Sequence, residues 1–268
     1  MLNNIFLKSI RDRWRYMAFW TLGLMVYTIG IELFYPTVRD SQQAIQQFII
    51  NSLPKNLASA FGFDITNFGT PVGFLNTEMF FFMVPVLVFI FTIGLGSGAI
   101  AGEEEKGTMD LLLSFPVPRW RLVLEKASAL VTLTLAVAFI LWVGMSIGAA
   151  AVGMDISVRR LAEMCFSTAL LGVDFGLLAL ALGAASGSRG LAVGVAVGVG
   201  VISYFINALA PVAAGIKHFQ SLSLFYYYIG GEPLSSGLNA GHVAVMIAVA
   251  AVLLTAAILG FRRRDVAV

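Results

Sequence analysis

Six long stretches almost free of Asp, Glu, Lys and Arg dominate this chain of 268 residues. They are 17–31 continuing through Glu32 to about Tyr35, 79–102 with Pro85, 127–154, 164–188 broken only by Asp174, 190–216 with Pro211, and 242–261. About 20 mostly apolar residues in a helix cross a hydrocarbon core of about 30 Å. Six membrane helices are therefore predicted, at about 16–35, 79–102, 127–152, 164–187, 190–211 and 242–261. A transmembrane barrel would instead show short alternating segments. The predicted fold class is an all-α membrane protein.

Composition excludes the alternatives. Apolar residues make up 59% and charged residues 12%, against about 45–50% and about 25% in soluble domains. Mean hydropathy is +0.88. Disorder needs the opposite balance. One cysteine excludes a disulfide scaffold or a CxxC zinc site within the chain. A net charge of +2 is too small for a nucleic-acid partner held by phosphate contacts.

Lys and Arg set the orientation. With the N-terminus inside, the inner segments hold twelve: Lys8, Arg11, Arg13, Arg15, Lys106, Arg119, Arg121, Lys126, Arg189, Arg262, Arg263 and Arg264. The outer segments hold five: Arg39, Lys55, Arg159, Arg160 and Lys217. Both termini are therefore expected in the cytoplasm, with Arg159 and Arg160 running against the rule. The long basic leader and the lack of a small-x-small site between Ile31 and Val38 read as a retained first span, not a signal peptide.

Between the spans, Leu2, Ile5, Phe6, Ile10 and Trp14 recur at helical spacing, with Lys8, Arg11, Asp12 and Arg15 elsewhere. An amphipathic N-terminal helix on the inner surface is expected. In the outer segment 36–77, Ala44, Ile45, Phe48 and Ile49 predict a short helix ending near Pro54, and Gly62, Gly69, Pro71 and Gly73 break regular structure. The second outer segment, 211–241, is too apolar for a free loop. A partly re-entrant hairpin is expected, because irregular backbone at membrane depth must pack on protein or face a wet cavity. Tyr226, Tyr227 and Tyr228 suit an interface belt.

The inner loop 102–126 reads GEEEKGTMDLLLSFPVPRWRLVLEK. Thr108 caps a short predicted helix, with Asp110 near its start, and Pro116 and Pro118 end it. Met109, Leu112 and Leu113 form its apolar face. So short a helix is unstable alone in water and must dock on something, either the rest of this chain or a soluble partner.

Here the sequence resembles the membrane subunit, or permease, of type 2 ABC exporters. That family carries Gly-Glu-x-Glu-x-Gly-Thr, a Leu pair and Pro-x-x-Arg after its second span. Gly102, Glu103, Glu105, Gly107, Thr108, Leu112, Leu113, Pro116 and Arg119 match. Members often end with an aromatic residue and a basic-basic-Asp tail, matched by Phe261, Arg263, Arg264 and Asp265. The layout matches throughout, and the specific motif covers about twenty-five residues. Pro118 departs from a position where small polar residues are common, and the outer loop 36–77 varies in the family.

The resemblance implies a single transmembrane permease domain over 1–268 in a bacterial or archaeal plasma membrane. It implies a cytosolic ATPase subunit that holds the ATP, a second permease copy or homologue, and a translocation path formed by the dimer. The segment near 107–116 would be the coupling helix, braced by the N-terminal helix, and the hairpin 211–241 would gate the exit. The ATPase-coupling residues would be Glu103, Glu105, Gly107, Thr108, Leu112, Leu113, Pro116 and Arg119. The chain has no G-x-x-x-x-G-K-[ST] phosphate loop, so it has no visible means of hydrolysing ATP. It is read as a transport subunit without a catalytic site, binding no cofactor of its own.

Single residues carry alternatives. Asp174, in span four, must face the bundle interior or a wet cavity. It is a candidate for the translocation path, or the centre of a structural hydrogen bond. Glu103, Glu104 and Glu105 are a solvated turn or part of the ATPase contact. Gly-x-x-x-Gly pairs occur at 94/98, 98/102, 144/148, 172/176, 183/187, 190/194 and 194/198. Those seven exceed the roughly two or three expected by chance in glycine-tolerant spans and predict close helix packing, with span two or five as a dimer contact. His218 and His242 lack further ligands at metal spacing, and Cys165 reads as a small buried apolar residue.

Two other function classes compete. An ion-coupled secondary transporter or channel would use Asp174, with Glu32 or Glu78. A membrane-embedded enzyme would need convergent His, Asp, Glu or Ser residues, which are few here. The loop 102–126 favours the ATP-driven reading.

Overall fold

A computed structural model describes residues 5–52, 67–109 and 117–264. Asp110, Leu112, Leu113 and Pro116 lie outside the described residues, and so do Leu2, Pro54, Gly62 and Asp265. The described chain is helical, with no strand among the described residues. Five described helices are long and apolar enough to cross a bilayer, and a bent pair, counted as one span, makes a sixth.

The first span is one unbroken helix, Ile5–Glu32. The expected separate helix on the membrane surface is thus replaced by a direct continuation into the span. No proline or glycine interrupts 5–22, so the backbone ladder propagates once formed. Short helices Tyr35–Asp40 and Gln42–Ser52 follow.

The second span begins earlier than the charge-free stretch. Helix Pro71–Leu75, capped by the Thr70 hydroxyl accepting from Gly73 N–H at 3.1 Å, runs into a π-helical turn, Asn76–Phe80. It then bends by 40° into helix Met83–Ser97. Pro85 explains the bend. It has no N–H to give the Phe81 carbonyl, and its ring crowds that carbonyl. The ladder resumes with Val86 N–H donating to the Phe82 carbonyl at 3.0 Å. Pro85 itself sits in the first turn of the new helix, where a missing donor costs little.

The third span, Arg119–Ala151, starts eight residues before the charge-free stretch. Its 33 residues extend about 50 Å, well beyond a bilayer core. Leu122, Val123 and Lys126 are buried, so this projecting portion packs on the bundle. Much of the segment read as a loop is therefore helix. The fourth span, Val158–Ser186, is the most enclosed, with buried residues on every face. The fifth is Arg189–Leu209 and the sixth Ala240–Arg263.

The fourth span is the hub. It packs on the second, third, fifth and sixth, while the first lies along the third. Spans two and four touch backbone to backbone: a side chain on Gly96 would run into the Gly176 carbonyl. Gly172 faces Val88 and Thr92, Gly148 faces the Glu32 carboxylate, and Gly144 faces Met25. Gly190, Gly194 and Gly198 face open space.

Segment 211–239 folds into short pieces, Ala214–Lys217, Gln220–Leu222 and Leu224–Ile229. The last is inserted into the bundle. Tyr228 is fully buried, which corrects its assignment to an interface belt. Its hydroxyl donates to the Phe80 carbonyl at 2.9 Å, beside the break in span two, and Ser167 Oγ donates to the Tyr228 carbonyl at 2.8 Å. A break in a membrane helix frees backbone groups that need new partners, and Tyr228 supplies one. Tyr226 and Tyr227 are half-buried against the His242 ring, with centroids 5.2 and 5.3 Å away.

Candidate functional site

The start of span one, the end of span two, the start of three, the end of four, the start of five and the end of six all meet at one end of the bundle. Residues 106–109 and 117–118, the described ends of the segment that joins spans two and three, lie here. The three consecutive glutamates hold this end together.

Helix Ala101–Glu105 follows span two after a turn and carries the glutamates. Glu103 turns to span three: Lys126 Nζ donates to its Oε1 at 2.8 Å. The Thr108 hydroxyl donates to Oε2 at 2.6 Å, and Thr108 N–H donates to the Glu103 carbonyl at 2.9 Å. Gly107 between them has φ +66°, the left-handed region that glycine enters without cost. The Gly-Thr pair is thus a turn locked onto Glu103. Burial alone would raise the Glu103 carboxyl, but the Lys126 and Thr108 hydrogen bonds outweigh it and hold the group below its ordinary value.

Glu104 pairs with Arg264, just past the end of span six. Glu105 accepts a bond from Arg189 N–H at 3.1 Å, at the start of span five. An acid there also meets the positive end of that helix. The three acids therefore reach three different spans.

Arg119 opens span three and closes span six. Its Nη1 donates to the Arg264 carbonyl at 2.5 Å, and its guanidinium lies 5.6 Å over the Phe261 ring. A cation at the last carbonyls of a helix is favourable. Gly187, with φ +68°, ends span four, and a side chain there would collide with the Arg264 guanidinium. Arg13 Nη2 donates to the Gly98 carbonyl at 3.2 Å, where span two ends. Phe6 N–H donates to Glu125 Oε2 at 3.1 Å, tying span one to span three. A cavity of about 40 Å³ lies among Ser9, Asp12, Arg13, Glu103 and Lys126.

Of the residues expected to serve coupling, Glu103, Glu105, Gly107, Thr108 and Arg119 converge here. Leu112, Leu113 and Pro116 lie outside the described residues. Sequence reasoning missed the partners Lys126, Arg189 and Arg13, which it had counted only as inner positive charges. The available signal was Lys126 itself, a cation directly at the edge of a long apolar run.

Asp174 stands apart. It is 1% exposed in span four, and among the described residues neither carboxylate oxygen has a hydrogen-bond partner. Glu32 is likewise buried and unpartnered. Cys165 is buried, as a small apolar residue would be. Among the described residues, no three His, Cys, Asp or Glu side chains gather as metal ligands.

A family model described as an ABC-2 family transporter protein matches residues 3–266. No curated protein matches the chain.

Proposed function

The chain belongs to the ABC-2 family of transporter proteins and is an integral membrane permease, and from that premise we propose that it is the permease subunit of an ATP-driven exporter. In this reading a separate cytosolic ATPase subunit binds ATP, and two permease subunits form the path. The end that carries loop 106–118 is cytoplasmic, in keeping with its excess of Lys and Arg.

One observation carries the proposal most directly: three neighbouring glutamates bind three different spans at the root of this loop. A push on the loop is then transmitted to spans three, five and six together. The ATPase needs only to bind the inward and outward forms with different affinity. Glu103, Glu105 and Arg119 act as the brace that passes on this motion, and 110–116 as the seat on the ATPase.

Dimerisation has a separate support. The glycine pairs of span two meet Tyr16, Arg13 and Arg189 within the chain, whereas Gly190, Gly194 and Gly198 meet nothing. Leu191, Val195, Ile202 and Phe205 beside them are exposed. Span five, not span two, offers the small-residue face that membrane helices use for close association.

The test is purification from the native membrane in mild detergent with an ATPase assay. A stoichiometric ATPase subunit that is lost on altering 107–116 supports the proposal. A chain that purifies without ATPase, under conditions that keep other complexes whole, overturns it. The buried, unpartnered Asp174 favours a second reading, ion-coupled transport, which would survive that outcome.

A further inference from the structure

We propose that the groove between spans three and four binds one glycerophospholipid, with an acyl chain in the groove and the phosphate at Arg159. The inference requires only that the chain is embedded in a bilayer, and stands apart from the ATP-driven reading.

The groove measures about 430 Å³ and its exposed lining is almost wholly apolar. Leu135, Phe139 and Trp142 form one wall, and Ala162, Phe166 and Ala169 the other. Alanines make the trough and aromatics its rims. The volume falls in the range of ligand sites, about 300–1,000 Å³. Trp142 Nε1 donates to the Val158 carbonyl at 2.9 Å, so the upper rim is fixed by a bond between the two spans.

Arg159, Ala162, Phe166 and Ala169 lie on one stripe of span four, at i, i+3, i+7 and i+10. At 1.5 Å per residue, Phe166 is about 10 Å and Ala169 about 15 Å below Arg159. That is the distance from the headgroup layer to the bilayer centre. Helical side chains tilt toward the N-terminus, which directs Arg159 out of the bilayer. Its side chain is 84% exposed and gives Nε to Glu163 Oε1 at 2.9 Å. Glu163 also holds Arg160 Nη1 at 2.8 Å. Two cations share one carboxylate, so the pair of guanidiniums keeps a positive balance.

An exposed ion pair contributes little to stability, so stability does not explain two arginines on the end that carries five of the seventeen Lys and Arg. A lipid phosphate matches Arg159 in charge and in its bidentate geometry. A second copy of this chain matches poorly: spans five and six carry exposed apolar faces but no Asp or Glu to meet Arg159.

The test uses the full chain, with any subunit that copurifies, in nanodiscs containing phosphatidylglycerol with a mid-chain diazirine. After irradiation, labelled peptides are mapped by mass spectrometry. Labelling is expected on 135–142 and 162–169 at least fivefold above that on the exposed face of span five. Arg159→Gln removes a charge-assisted bond, and a loss of about tenfold in groove labelling is expected. Arg159→Lys should keep a larger share. Ala138, which also lines the groove, is substituted together with Ala162: Ala138→Phe with Ala162→Phe should abolish groove labelling. If that variant fails to fold, the surface substitution Arg159→Gln decides alone. Even labelling around the whole perimeter means annular lipid only and overturns the proposal. So does groove labelling that Arg159→Gln leaves unchanged, or a cross-link between two copies at Phe139.

Discussion

Arg264 closes on Glu104 through two parallel hydrogen bonds, Nη2 to Oε2 at 2.6 Å and Nη1 to Oε1 at 3.2 Å, across 160 residues of chain. The glutamate run after span two and the basic tail after span six, two separate patterns in the sequence, are thus halves of one contact. The same guanidinium lies over Gly187 at the end of span four, and its backbone carbonyl takes the Arg119 bond. Hydrogen bonds to charged groups contribute about 1.5–3 kcal/mol. Arg264→Ala is therefore expected to lower stability by about 2 kcal/mol, read as a lower thermal midpoint in detergent. Arg264→Lys should recover less than half, since a point charge replaces a planar fork. An unchanged midpoint in Arg264→Ala would show the pair to be incidental.

Lys126 is buried, and Glu103 is its ion-pair partner at 2.8 Å. Removing one partner of a buried pair costs about 3–5 kcal/mol, because a bare charge remains. Glu103→Gln should sit near the low end, about 3 kcal/mol, as Glu103 is partly exposed. Glu103→Gln with Lys126→Met should be closer to wild type than Glu103→Gln alone. Thermal melts of wild type and the two variants decide this.

The same carboxyl predicts a pH dependence. Its folded pKa lies below the ordinary 4.5. Such a group adds stability above its unfolded pKa and loses it as pH falls through the folded value. Wild type should therefore lose stability below about pH 4.5 more steeply than Glu103→Gln. Melts between neutral pH and the strongly acid range test the slope, and parallel curves would contradict it.

Glycines within the spans should differ in effect. Gly96→Ala places a methyl on the Gly176 carbonyl, and overpacking of this kind typically costs about 1–3 kcal/mol. It should reduce the yield of folded protein. Gly194→Leu meets open space within the chain and should fold normally while weakening self-association. Size-exclusion chromatography with light scattering separates the two effects.

Tyr228→Phe deletes the bond to the Phe80 carbonyl and leaves the ring in place. Polar bonds inside membrane proteins contribute about 0.6–1.7 kcal/mol. A loss near 1 kcal/mol is expected, with faster proteolysis of 211–239 as the segment loosens. Unaltered proteolysis would argue that the bonds to Ser167 and Ser203 hold the segment without it.

Asp174→Asn separates stability from transport. An unpartnered buried carboxylate destabilises the fold, so the neutral near-isostere should be as stable or more so. If Asp174 serves the path, transport should fall at least tenfold in the same variant. Full transport would remove it from the mechanism.

The six apolar runs announced the helices, because a bilayer needs about 20 apolar residues wherever a helix crosses it. Helix ends were less legible. Span three reaches Arg119 because Leu122 and Val123 pack on the bundle, and a search for uncharged stretches cannot see a helix that goes on past charged residues. The bend at Phe81–Phe82 was latent in Pro85, but its stabilisation by Tyr228 comes from 148 residues away. A tyrosine triplet in an outer segment looks the same whether its rings face lipid or core. The glutamate run marked the site, while the span that each acid binds was invisible, since Lys126, Arg189 and Arg264 are merely three of seventeen Lys and Arg.

By itself, then, the sequence determined class and location: an all-helical membrane chain with a charged, motif-bearing loop after its second span. These follow from local quantities, the transfer cost of side chains and the need of every backbone group for a partner. Tertiary structure decided which glycines are filled and which stay open, that Tyr228 belongs to the core, and that three adjacent acids brace three spans. Those are pairings between residues far apart in the chain. Sequence spacing carries no distance across a bundle, and only packing around the fourth span brings such partners together.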